Sequence, residues 1–111
     1  LLIVTPEYNG CAPPLLVSMI AWTSRPENDE ISCAAYANKP VAIAAASPGG
    51  LGAVRVIPRL RDALAELSAV AVPGFATLPA AFQAFNDDGT LKDEKAARML
   101  KGLAERLAAA L

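Results

Sequence analysis

Two segments of the chain are continuously apolar, and each is followed by a loop of turn-forming residues. Residues 1–4 precede the loop at 5–10, and residues 41–46 precede the loop at 47–52. An uninterrupted run of small or β-branched apolar residues is typical of a strand that is buried on both faces, as in a parallel sheet. We therefore predict two parallel strands whose following loops share one edge of the sheet.

Apolar residues with helical spacing follow each loop. The first helix is predicted over residues 15–23, because Pro13 and Pro14 suit a first helical turn, where an N–H has no intrahelical acceptor. The second is predicted to begin near residues 54–57 and to pack on the sheet through an apolar stripe. That stripe consists of Val54, Ile57, Leu60, Leu64 and Leu67.

The remaining part of the chain predicts one more strand and one more helix. The strand covers residues 69–72 and is ended by Pro73, and residues 75–85 are predicted to be an extended connection. Residues 86–89 resemble the start of a calcium loop, but they lack its alternating ligand spacing, so a turn is favoured. The last helix begins near Asp93, and its predicted apolar stripe is Leu100, Leu103, Leu107 and Leu111.

The predicted order is β-α-β-α-β-α, within a single domain over residues 1–111. Right-handed crossovers between parallel strands make this an α/β fold with one sheet, whose first strand has an unpaired edge. Ligands of open α/β sheets bind at the carboxyl edge of the strands. The loops at 5–10 and 47–52 are therefore predicted to be binding loops.

Composition excludes several classes of function. The chain has 10 basic and 11 acidic residues and no histidine. This balance argues against sequence-independent nucleic-acid binding, and the lack of histidine excludes Ser-His and Cys-His catalysis. No apolar run reaches the roughly 20 residues of a membrane span. Cys11 and Cys33 form no CxxC motif, so free structural thiols are favoured over a disulfide, and a cytoplasmic location is expected.

The two loop sequences together carry a resemblance to a known family. Thr5-Pro6-Glu7-Tyr8-Asn9-Gly10 and Ser47-Pro48-Gly49-Gly50-Leu51-Gly52, with a further match at residues 85–91, resemble the NAD(P)H-dependent FMN reductases of flavodoxin-like fold. The resemblance implies a three-layer sandwich around a five-stranded parallel sheet of order 2-1-3-4-5. This chain would supply the last three strands as a carboxyl-terminal portion, without the family's first strand and phosphate-binding loop.

The resemblance also implies a function, with FMN as cofactor and NAD(P)H as hydride donor. Hydride would pass through the flavin to a quinone, an azo compound or a similar small acceptor, with no catalytic side chain and no metal. The implied cofactor-binding residues are Pro6, Glu7, Tyr8, Asn9 and Gly10 in the first loop and Ser47, Gly49 and Gly50 in the second. Family members pair through the first helix, so a homodimer or homotetramer is expected.

Some alternatives remain open at this point. The chain could be a truncated or degenerate piece that keeps the packing of the fold, lacks catalytic activity and serves a structural or interaction role. An electron-transfer flavodoxin is disfavoured, because the loops match reductases better. Arg55 could contact a nucleotide phosphate or be a solvated arginine. For Cys11, an inert small residue is favoured over a redox-active thiol.

Overall fold

A computed structural model describes all residues 1–111 and contains one parallel sheet. Strand β1 (Leu2–Pro6) pairs with β2 (Pro40–Ala46), and β3 (Val70–Ala71) and β4 (Ala76–Leu78) pair with the opposite edge of β2. The first two strands were predicted correctly to within two residues. Within residues 1–111, no strand pairs with the other edge of β1.

Strand β2 is the centre of the sheet because its side chains are small enough to be covered on both faces. Residues 41–45 are each at most 5% exposed. Val41, Ile43 and Ala45 pack into a core cluster on one face, while Ala42 and Ala44 pack into a second cluster on the other. Since successive side chains of a strand point to opposite faces, this alternation places one helical layer on each side.

The strand predicted at residues 69–72 is observed as β3, but β4 follows it within the predicted connection at residues 75–85, so the sheet has four strands where three were predicted. Val41 is opposite Ala71 and Ala44 is opposite Ala76, so β3 and β4 use two more residues than β2 over the same length. The excess lies at Pro73, which cannot donate to the ladder, and at Gly74, whose φ is 80°. The supposed extended connection therefore contains β4 and a short 3₁₀ helix, Ala81–Gln83.

Two arginines stabilise this interruption from opposite faces of the sheet. Arg61 donates from Nη2 to the carbonyl oxygens of Val72, at 3.2 Å, and Gly74, at 2.6 Å. Arg106 donates from Nε to the carbonyl oxygen of Pro73 at 2.8 Å. These hydrogen bonds satisfy carbonyl groups that the broken ladder leaves without a strand partner.

The helices form the two outer layers. Helix α1 (Pro14–Thr23) and helix α2 (Val56–Glu66) lie on one face of the sheet, and α3 (Glu94–Ala109) lies on the other. Helix α2 buries Val56, Ile57, Leu60 and Leu64. In α3, Leu103 is fully buried, but Leu100 and Leu111 are 41% and 90% exposed, so the predicted stripe was wrong at those two positions. Residues 32–38 form consecutive hydrogen-bonded turns, one of which runs from the N–H of Ala37 to the carbonyl of Cys33 at 2.8 Å.

Helix α1 contributes little to the core. None of its residues is buried, and Leu15, Met19 and Trp22 are 73%, 56% and 77% exposed. Leu16 and Ile20 make the partly buried contacts that hold the helix on the sheet. On β1, Val4 is also 66% exposed. No helix in the structure has the length and apolar character that a membrane span requires.

Candidate functional site

The two predicted binding loops lie side by side at the carboxyl edge of the sheet. Pro6 is the last residue of β1, and its partner in the parallel register is Ala46, the last residue of β2. The chains that leave these strands therefore start about 5 Å apart, the spacing of neighbouring strands. The structure thus brings together Pro6, Glu7, Tyr8, Asn9 and Gly10 with Ser47, Gly49 and Gly50, as the sequence predicted.

The first loop is a tight turn with a defined backbone geometry. The N–H of Tyr8 donates to the carbonyl of Cys11 and the N–H of Cys11 donates to the carbonyl of Tyr8, both at 2.9 Å. Asn9 and Gly10 occupy the turn with φ values of 52° and 80°, a conformation that Asn and Gly adopt most readily. The amide N–H of Asn9 donates to no group of the chain, and the Tyr8 side chain is 57% exposed.

Two backbone hydrogen bonds connect the second loop to the end of β4 and to the segment that follows it. Ser47 donates its N–H to the carbonyl of Leu78 at 3.1 Å, and Ala81 donates its N–H to the carbonyl of Ser47 at 3.1 Å. Gly49 and Gly50 are exposed, and their N–H groups have no acceptor within the chain. The loop therefore presents free hydrogen-bond donors on a fixed backbone.

Gly52 closes the second loop where the backbone of another segment comes very near. Its φ is 59°, and a Cβ built at this position would lie 2.9 Å from the backbone nitrogen of Pro79. Only glycine fits such a contact without a shift of the backbone. The following residue, Ala53, also has a positive φ, of 64°, so the chain turns sharply before α2 begins.

Glu7 and Arg55 form an ion pair between the first loop and the start of α2. Arg55 donates from Nε and Nη2 to Oε1 of Glu7, at 2.8 and 2.6 Å, while the N–H groups of Arg55 and Val56 donate to Oε2, at 2.9 and 3.2 Å. Burial raises the pKa of the Glu7 carboxyl, but the hydrogen bonds and charge of Arg55 with the two backbone donors outweigh it, so the pKa is lowered.

Sequence reasoning did not identify this ion pair, since its partners are 48 residues apart. The sequence did show an acidic residue, Glu7, after the first predicted strand and a basic residue, Arg55, after the loop that follows the second, and these two loops were predicted to share one edge. The Arg55 side chain is thus bound to Glu7 in this structure, where the sequence had left open a phosphate contact or a solvated side chain. The Glu7 side chain points to α2, which leaves its backbone on the loop surface.

The residues at 85–91 form a third loop at this end of the molecule. Asp88 accepts from the N–H and the hydroxyl of Thr90 at 2.9 and 2.6 Å, and these hydrogen bonds lower its pKa. This local bonding is that of a turn, as predicted. Beneath the loop, on the α3 face, lies an apolar cleft of about 400 Å³ that contains none of the eight predicted site residues.

The side chains of this structure form neither a metal-binding cluster nor a disulfide. No cluster of three or more His, Cys, Asp or Glu residues could hold a metal ion. Both cysteines are free thiols, as predicted, with Cys11 exposed and Cys33 partly exposed. What the site offers is backbone N–H groups on two neighbouring loops.

Comparisons with known proteins agree with this geometry. The family model "NADPH-dependent FMN reductase" matches residues 1–83. The chain is 38% identical over 96 residues to the NADH:(hydroxy)cinnamate reductase subunit CrdA of Vibrio ruber. This alignment covers 84% of the present chain and 45% of CrdA. It is also 34% identical over 102 residues to the NAD(P)H-dependent FMN reductase PA1204 of Pseudomonas aeruginosa. That alignment covers 91% of the present chain and 52% of PA1204.

A solved structure extends the similarity to three dimensions. The flavoenzyme NAD(P)H:(acceptor) oxidoreductase FerB of Paracoccus denitrificans superimposes with a TM-score of 0.76 at 31% identity, over 97% of this chain and 58% of FerB. The predicted flavodoxin-like α/β fold is confirmed. The chain spans about half the length of the curated relatives that it matches. With its matched family model, its relatives and its fold, the chain belongs to the NADPH-dependent FMN reductase family.

Proposed function

We propose that this chain forms the flavin-contacting part of an FMN-dependent NAD(P)H oxidoreductase. The reaction is transfer of hydride from NAD(P)H to the flavin and then to a quinone, an azo compound or a similar small acceptor. The observation that carries the proposal is the pair of adjacent loops with free backbone N–H groups at one sheet edge. Membership of the FMN reductase family supports the same conclusion.

The residues of the two loops fit a flavin ring. The ring edge carries nitrogen and oxygen acceptors, and the unpaired N–H groups of Asn9, Gly49 and Gly50 are donors of the kind that these acceptors need. Pro6 and the exposed Tyr8 side chain provide apolar contact to the ring face, while Glu7, Gly10 and Ser47 shape the two loops. When bound, FMN supplies the redox chemistry, and no acid or base from this chain is required.

The oligomeric state and the location belong to the same proposal. The exposed face of α1 is uncharged and apolar, which suits pairing with a second copy in a homodimer or homotetramer. We place the protein in the cytoplasm, where its proposed nucleotide donor is available.

A flavin titration tests the proposal. FMN and riboflavin are each added to the purified chain, and quenching of flavin fluorescence is followed to tens of micromolar, roughly the weak end of specific binding. Contacts confined to the ring predict similar quenching by both flavins. Replacing Tyr8 by alanine is expected to weaken binding, while replacing Ile31, an exposed apolar residue outside both loops and outside α1, by alanine serves as the control. No quenching of either flavin would contradict the function for this chain.

A second candidate is a structural or interaction piece without catalytic activity. The observation that favours it is the bare edge of β1, where Leu2 and Val4 are 50% and 66% exposed and no strand pairs. This candidate predicts a folded chain that binds neither flavin and does not oxidise NAD(P)H. The same titration, together with an NAD(P)H oxidation assay, therefore distinguishes the two functions.

A further inference from the structure

The carboxylate of Glu7 is the point where the first loop meets the element that follows the second loop. Each carboxylate oxygen receives two N–H groups, Oε1 from the guanidinium of Arg55 and Oε2 from the backbone of Arg55 and Val56. The Glu7 side chain is only 5% exposed, whereas that of Arg55 is 58% exposed. The contact thus joins two segments that are distant in sequence.

The position of this carboxylate is favourable for a negative charge. It lies at the beginning of α2, where N–H groups have no intrahelical acceptor and the helix dipole is positive. A second cation is near, because a Cβ built on Gly10 would lie 2.7 Å from Nη1 of Arg59 and 3.8 Å from Nε of Arg55. Both guanidinium groups therefore lie against the turn at Tyr8–Gly10, and Glu7 is the acidic residue that neutralises one of them.

We infer that Glu7 is a positioning residue, which holds the Pro6–Gly10 loop at a set distance from the loop at Ser47–Gly52. This inference rests on the proposed function, because it assigns the geometry of the flavin-contacting donors to an ion pair outside the flavin surface. Glutamine in place of Glu7 keeps the size of the side chain. Its amide NH₂ would face N–H donors, however, so at least one of the paired contacts is lost.

The test begins with the flavin-free chain, so that the ion pair is examined independently of the cofactor. Amide hydrogen exchange is compared in the unaltered protein, in E7Q and in E94Q. The last is a matched control, since Glu94 pairs with Arg98 at 3.4 Å on the exposed surface of α3. We expect about tenfold faster exchange at Arg55 and Val56 in E7Q only, as lost charge-assisted hydrogen bonds predict. Unchanged exchange there would overturn the inference.

The second arm uses FMN, with its dissociation constant and its bound absorption spectrum as readouts. We expect E7Q to weaken FMN binding about tenfold and to shift the spectrum, while E94Q has no effect. A faster-exchanging E7Q with unaltered FMN affinity and spectrum would make Glu7 merely structural, which overturns the positioning role. Absence of FMN binding by the unaltered chain would instead contradict the proposed function, and the exchange data alone would then decide whether Glu7 orders the loop.

A pair of Arg55 variants keeps the test decisive if E7Q does not fold. R55K retains a positive charge and a donor, while R55Q removes the charge that Glu7 needs. We expect R55K to keep much of the slow exchange at positions 55 and 56 and much of the FMN spectrum of the unaltered protein, and R55Q to lose both. Equal behaviour of the two variants would overturn the inference.

Discussion

Replacing Gly52 with alanine is expected to destabilise the fold severely, although the added group is a single methyl. Gly52 has a φ of 59°, and the methyl would lie 2.9 Å from the nitrogen of Pro79 and 3.1 Å from the carbonyl carbon of Leu78. These are backbone atoms of the segment that supports the second loop, so no side-chain rotation can relieve the contact. The loop or its support must move.

The magnitude follows from two contributions. A left-handed backbone costs a residue with a Cβ about 1–2 kcal/mol. Forcing an extra methyl group into a packed contact costs about 1–3 kcal/mol more. Together the free energy of unfolding should fall by about 2–5 kcal/mol, a large fraction of the stability of a small domain.

Gly50 provides the matched control two residues away in the same loop. A Cβ built on Gly50 meets nothing within 4 Å, and its φ is not positive. Alanine at position 50 should therefore leave stability unchanged or raise it by about 0.4–1 kcal/mol, since it restricts the unfolded chain.

Urea unfolding followed by circular dichroism compares the two variants. With a denaturant slope of about 1–3 kcal/mol/M, G52A should unfold at a midpoint lower than that of G50A by about 1 M or more. Equal midpoints would refute the reasoning, because the two glycines differ in φ and in the space around Cβ. A fall in both midpoints would refute it as well, by showing that any side chain in this loop is harmful.

Four further outcomes are expected. Replacing Leu103, which is fully buried between α3 and the sheet, with alanine should lower the free energy of unfolding by about 2–5 kcal/mol in the same assay. Replacing Arg61 with methionine should cost about 1–3 kcal/mol, measured as a lower Tm, because carbonyl groups at the strand interruption lose their donor. Trp22 fluorescence should be readily quenched by acrylamide in dilute protein and protected at high concentration if α1 pairs with a second copy, and protection that never develops would contradict pairing through α1. Since the pKa of Glu7 is lowered in the folded state, its contribution to stability is present at neutral pH and is lost as the pH falls through that lowered value, so E7Q should flatten the decline of the urea midpoint below about pH 4.

The features that the sequence determined are those that depend on neighbouring residues. The apolar run that became β2 needs cover on both faces wherever it lies, so its strand character did not depend on tertiary detail. The spacing of Ile57, Leu60 and Leu64 likewise sets which face of α2 is buried. Because β1 and β2 are parallel, their following loops had to share an edge, and the candidate site followed from that rule.

Only the tertiary structure decided the features that join distant segments. The sequence shows where Pro73 interrupts pairing, but only the fold shows that pairing with β2 resumes at Ala76 and that Arg61 binds the carbonyl groups of Val72 and Gly74. Leu103 is buried while Leu100 is 41% exposed, although both fit one helical stripe, because burial depends on where the sheet lies beneath α3. The pairing of Glu7 with Arg55 required the folded sheet to bring a carboxylate to the start of a helix 48 residues away. Local pattern determines which elements form, whereas contacts between charges and backbone groups depend on distances that exist only after the elements have packed.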